Sequence, residues 1–267
     1  MSLQYRFFRY ALGIAAVLLP LAVANAATLA DSDEQRIVDL VAANRILADQ
    51  GVLDGFGHVS VRSLKNPKHF YMARSLAPAM VTKDDIMEFD ENSVPIDQRG
   101  RDIASERFIH GEIFRARADV QAVVHSHSPA VLPFSVTDTP LKPLTHTSYF
   151  LGFDPVPVFD IRAAEGDDNK MLVSSAPTAA ALAKTLGPRA VALMRGHGMV
   201  VVADTLPWVT FRAIYTQQNA QVEAEAQKLG KPNFLNRFEV NRADRVERHW
   251  DLWKAQAAAR EIGRAHV

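Results

Sequence analysis

The tightest constraint on this chain is the run Ala122-Val123-Val124-His125-Ser126-His127, which reads as a buried strand broken off at Pro129. On either side of it, apolar runs alternate with segments of helical period. Ile37, Val38, Val41 and Ile46 recur at helical spacing between a cap at Asp31 or Ser32 and a stop at Gly51, predicting a helix to about Gln50. The turn Gly55-Phe56-Gly57 enters a strand at His58-Val59-Ser60-Val61-Arg62, and further strands are expected at 70–72 and 86–89. A loop over 90–103 leads to a helix that starts near Asp102 or Ser105 and runs to about Ala118, with Ile109 and Ile113 on its buried face. Residues 133–160 read as loop-rich with a short strand at 156–159. Pro177 opens a helix that Gly187 closes. Strands at 190–194 and 199–202 flank Arg195-Gly196-His197-Gly198. Pro207 opens a long helix closed by Gly230, and a final helix carries Trp250 and Trp253. Strands interleaved with helices predict a layered α/β domain. A chain of 267 residues, 48% of them apolar, is enough for one full core.

The ends read differently. Arg6 and Arg9 precede an apolar stretch over 11–24, and Ala24-Asn25-Ala26 supplies small residues at cleavage spacing. Residues 1–26 are therefore expected to be a secretory signal peptide. The apolar run is short for a membrane span, so no stable span is expected after cleavage. The mature domain over 27–260 would be exported, and periplasmic in a Gram-negative host. Residues 261–267 look foreign, like the translation of a common sequencing adapter; they are expected to be a non-native tail, and His266 is given no role.

A net charge of zero gives no reason to expect nucleic acid as a partner. With no cysteine in the chain, any metal must sit on His, Asp or Glu. His125 and His127 are two apart, and a strand puts such positions on one face. Their spacing suits two bonds to one ion of about 2.0–2.1 Å each. Alone, such a pair also fits ordinary surface or core histidines. His197 adds weight: glycines on both sides let its backbone turn sharply and approach another element, the alternative being a turn histidine in water. Three neutral imidazoles leave coordination positions open, the pattern of a catalytic ion. Glu106 falls in the first turn of its helix, either as a partner of the helix dipole or as a fourth ligand or acid/base beside the ion. His110, one turn on, is a helix-face histidine or a support behind a ligand. His69 and His249 read as surface residues.

In order and spacing, Gly57-His58-Val59-Ser60-Val61-Arg62, Ser105-Glu106-Arg107-Phe108-Ile109-His110, Ala122 through Pro129 and Met194-Arg195-Gly196-His197-Gly198 resemble the class II aldolase/adducin family over roughly residues 33–230. The resemblance implies a three-layer α/β/α domain with a central mixed sheet. It implies a divalent metal on His125, His127 and His197, with Zn2+ favoured over Mn2+, Mg2+ or Fe2+, and Glu106 as the acid/base at the metal. It also implies a homotetramer with sites at subunit interfaces. Sugar-phosphate aldolases of the family bind phosphate with a glycine-asparagine turn and a serine pair. Here Gly57 is followed by His58, and Ala104 stands in place of the first serine, before Ser105. The loops are more similar to the branch of hydroxy-carboxymuconic semialdehyde and dihydroxyphthalate decarboxylases. The substrate is then a small carboxylate. Arg74, Ser105, His146 and Tyr149 are candidates to bind it, and Glu106 and His58 to handle protons.

Decarboxylation leaves an electron pair on carbon, and a Lewis-acidic ion at an adjacent oxygen can hold that charge as an enolate. Retro-aldol cleavage makes the same kind of intermediate. The competing expectations are an aldolase or epimerase on a small sugar or hydroxy-acid, a non-haem iron oxygenase, a bare metal-binding protein and a non-catalytic adducin-like module. The last predicts eroded ligands.

Overall fold

A computed structural model describes residues 32–241 and 245–265, with side chains to residue 260. The expected signal peptide at 1–26 and the side chains of the expected tail at 261–267 lie outside the described residues. Among the described residues, no helix is long and apolar enough to cross a membrane.

Ser32 sets the first element: its hydroxyl accepts the Gln35 N–H and opens α1 (Asp33–Asp49). Three strands follow, β1 (His58–Arg62), β2 (Phe70–Ala73) and β3 (Ile86–Phe89), and then α2 (Arg107–Ala116). β4 (Ala122–Ser126) leads to the short helix α3 (Leu132–Val136), β5 (Val158–Phe159) and the short helix α4 (Arg162–Glu165). Ser175 caps α5 (Ala176–Leu186), with Pro177 in its first turn and Gly187 at its end. β6 (Val191–Met194) and β7 (Gly198–Ala203) form a hairpin. Thr205 caps α6 (Leu206–Leu229), and α7 (Glu247–Ala265) closes the order.

The strands make one seven-stranded sheet in the order β3-β2-β1-β4-β7-β6-β5, antiparallel except for the parallel β5–β6 pair. Strand periodicity sends alternate residues to opposite faces. Val124 and Val201 join Leu40, Ile46, Phe211 and Trp250 under α1, α6 and α7, whereas Val123, Val200 and Val202 join Ile109, Ile113 and Leu182 under α2 and α5. The result is the expected three-layer α/β/α domain with a mixed sheet.

Three local expectations need correction. α2 begins at Arg107, so Glu106 is its N-cap residue rather than part of the first turn, and its side chain makes no capping bond. β4 ends at Ser126, so His127 sits just past the strand instead of in it. Residues 133–160 are more ordered than a loop, holding most of α3, a 3-10 helix at His146–Leu151 and β5. Side-chain bonds from distant chain explain the 3-10 segment: Asn219 Oδ1 accepts the Ser148 hydroxyl at 2.7 Å and the Leu144 N–H at 2.8 Å.

Candidate metal centre

β4 delivers His125 to one end of the sheet, across from His58 on β1 and Val200 on β7. His197 reaches the same end from the turn between β6 and β7. Gly196 takes φ 64°, which lets that turn close. Gly198 allows the hairpin to press on β4, because a Cβ there would stand 2.0 Å from the Ser126 carbonyl oxygen.

The outcome is a cluster of Glu106, His125, His127 and His197, whose ligand atoms lie within 4.8 Å of one another. His127 Nε2 stands 3.1 Å from His125 Nε2 and 3.0 Å from His197 Nε2. Glu106 Oε2 is 3.3 Å from His125 Nε2, 3.6 Å from His197 Nε2 and 4.0 Å from His127 Nε2. Backbone groups aim two of these side chains. The Val173 N–H donates to Glu106 Oε1 at 3.0 Å, leaving Oε2 for the imidazoles. His125 Nδ1 lies 3.2 Å from the Met199 carbonyl oxygen, which can only accept, so Nδ1 carries the proton and Nε2 presents its lone pair.

Burial opposes ionisation of Glu106, but the His125 and His197 imidazoles beside it outweigh that and hold the carboxyl well below the usual range. Burial, then repulsion from His125 and His197, lowers His127 to about 4, so its ring is neutral at neutral pH. Ring nitrogens this close repel one another unless a positive charge stands among them. A divalent cation would relieve that repulsion and neutralise the carboxylate. Three nitrogens and one oxygen, without sulfur, are a donor set that such an ion accepts.

The remaining candidates are placed less uniformly. His58 is tilted against His125, with ring centroids 5.6 Å apart, and its buried Nδ1 makes no hydrogen bond. Burial first, and then the charge of His125, pushes His58 down to about 3. His110 lies behind it, its Nδ1 2.6 Å from the Ser60 hydroxyl. Ser105 is exposed next to Glu106. Arg74 is committed to Asp85, Nε to Oδ1 at 2.6 Å, because the 3-10 turn at Lys83–Asp85 packs beside the end of β2. Tyr149 lines a separate cavity of about 630 Å³ with Arg117, Arg189 and Arg212, at the Ala203 end of β7, away from the cluster. His146 is exposed, in a hollow with Leu235 and Phe238. Within one chain, neither Tyr149 nor His146 is brought to the imidazoles. His249 is not a surface residue: it packs edge-on against Phe211 and Tyr215 and tilted against Trp253. The Val173 N–H and Met199 carbonyl that aim the ligands had no sequence signal, since any residue supplies them.

Residues 38–224 match the family model described as Class II Aldolase and Adducin N-terminal domain. The decarboxylase tropJ of Talaromyces stipitatus is 36% identical over 236 residues, covering 78% of this chain and 88% of that protein. The 3,4-dihydroxyphthalate decarboxylase of Arthrobacter keyseri is 28% identical, covering 70% of this chain and 77% of its own length. Among solved structures, the L-fuculose 1-phosphate aldolase of Glaciozyma antarctica superposes with a TM-score of 0.69 at 23% identity, over 86% of this chain and 92% of that one. At that identity the likeness speaks for the fold.

Proposed function

This chain belongs to the class II aldolase/adducin family, and from that premise we propose that it is a divalent-metal lyase that removes carbon dioxide from a small hydroxy- or keto-carboxylic acid of aromatic origin. The observation that carries the reading is the convergence of three Nε2 atoms on the Glu106 Oε2 atom. Relatives that are themselves decarboxylases, one of them 36% identical, favour carbon dioxide loss over aldol cleavage. A non-catalytic module would have no reason to keep the set.

His125, His127 and His197 would hold the ion with Glu106, and Zn2+ is the favoured occupant. When bound, such an ion lowers the energy of negative charge on an adjacent substrate oxygen. The chain's own groups manage the proton. Glu106, held ionised, takes up the proton of the substrate hydroxyl next to the carboxylate and delivers it to the carbon that bears the carboxylate, so that the oxygen becomes a carbonyl. The carbon–carboxylate bond then breaks, carbon dioxide departs, the bonding pair passes to that carbonyl oxygen as an enolate, and solvent protonates the oxygen. His58, neutral at neutral pH, is suited to donate an N–H hydrogen bond rather than to act as the acid. Arg74 could meet a substrate carboxylate only by sharing its guanidinium with Asp85, and Ser105 offers a hydroxyl at the edge of the cluster.

Export to the periplasm and assembly as a homotetramer belong to the same reading; cell fractionation and sedimentation test them. The deciding experiment is elemental analysis of the purified protein together with a screen for carbon dioxide release from carboxylated catechols and semialdehydes. Release that stops on chelation and returns with Zn2+ is expected. Aldehyde release without carbon dioxide would move the assignment to an aldolase.

A further inference from the structure

The four clustered side chains are not equally open to solvent. Exposure is 0% for His125, 6% for Glu106 and 9% for His197, but 26% for His127. His127 is therefore the ligand of the cluster most open to solvent. Beside it stands Phe56, with its ring centroid 5.9 Å from the His127 ring and the two planes 35° apart. Phe56 is 70% exposed. A phenyl ring left in water forgoes about 1.5–3 kcal/mol of burial, which a ligand lying on it would recover.

The local sequence holds the ring there. Asp54 Oδ1 accepts the Phe56 N–H at 2.8 Å and fixes the turn. Gly57 follows at φ 87°, and a Cβ on it would come within 2.9 Å of the His125 carbonyl oxygen, so the turn lies directly on the strand that bears the ligand. Val136 and Met171 pack around Gly196, one residue before His197, and both are exposed as well. The cluster thus has a charged floor and an apolar rim, and only Phe56 adds a flat aromatic face to that rim among the residues named.

We infer that Phe56 is a specificity-determining residue that lies against the planar ring of an aryl carboxylate substrate while the floor takes up its oxygens. This rests on the aryl-acid reading above and names the contact that selects the ring. An aromatic pair of this kind adds affinity through offset stacking, beyond the apolar area covered.

Binding is the readout that separates this contact from the reaction. Zn2+-loaded protein is titrated by calorimetry with 2,3-dihydroxybenzoate and with lactate, in wild type, Phe56→Ala and Phe56→Tyr. Phe56→Ala should bind the aryl acid about tenfold more weakly. Lactate affinity, zinc content and sedimentation should not change, and Phe56→Tyr should retain the wild-type preference. Equal weakening for both acids, or no weakening for either, overturns the inference. So does a change of oligomeric state in Phe56→Ala, because it would show that a second copy covers the ring. Failure to release carbon dioxide from any acid counts against the decarboxylase reading alone, since the titration does not need turnover.

Discussion

His58 and His125 are direct partners across the β1–β4 ladder, with ring centroids 5.6 Å apart and planes tilted by 33°. The pairing puts a neutral imidazole against the back of the most deeply buried ligand of the cluster. Its loss should disturb turnover more than metal uptake. His58→Asn is expected to keep one zinc per chain and to lower kcat by about ten- to a hundredfold, the range seen when groups behind a metal ligand are removed. Elemental analysis beside a carbon dioxide assay checks both halves.

Gly198, at the start of β7, lies directly against Ser126 of β4. A methyl group there meets the Ser126 carbonyl 2.0 Å away, and backbone cannot step aside as a side chain can. Gly198→Ala should cost about 3 kcal/mol or more, and His197 should be carried out of register with the other ligands. A thermal melt should show a Tm lower by roughly 6–12 °C for a domain of this size.

Glu223 gives a pH signature independent of the cluster. It is fully buried on α6, accepts the Lys142 N–H at 3.0 Å, and burial raises it to about 7 from an ordinary 4.5. Below pH 4.5 the carboxyl is protonated whether the chain is folded or not, and folding incurs no cost from it. Between about 4.5 and 7 the unfolded chain ionises while the folded one resists, so stability falls as pH rises. Glu223→Gln keeps a carbonyl for Lys142 and removes the charge. It should be more stable than wild type by about 3 kcal/mol at pH 8 and no different at pH 4. Denaturant titrations at the two pH values test this, and a constant difference would contradict it.

Much of this architecture could be read from side-chain pattern. The apolar runs at 122–126 and 198–203 are strands because branched residues fill both faces of a covered sheet; Ser32 was legible as a cap, and Pro177 and Pro207 marked two more helix starts, whose caps, Ser175 and Thr205, the structure supplies. The histidines could be grouped because His125 and His127 are two apart and His197 is flanked by glycine. What escaped the sequence depended on contacts between distant parts of the chain. Glu106 reaches the imidazoles from a cap position because the Val173 N–H, far along the chain, takes its other oxygen. Tyr149 lines a cavity at the far end of the sheet because Asn219 on α6 fixes the 3-10 turn that carries it, and no periodicity encodes that. His249 is packed among aromatic rings from two helices, although Glu247, Arg248 and Asp251 stand close to it in sequence.

Zinc K-edge absorption on the purified protein, wild type against His197→Ala, bears most directly on the shared ion. Expected for wild type is one zinc per chain with three imidazole nitrogens at about 2.0–2.1 Å and one carboxylate oxygen. The variant should bind zinc at least a hundredfold more weakly and release no carbon dioxide. Zinc bound as tightly in the variant, or a wild-type spectrum without imidazole scattering, would contradict a metal centre built on these side chains.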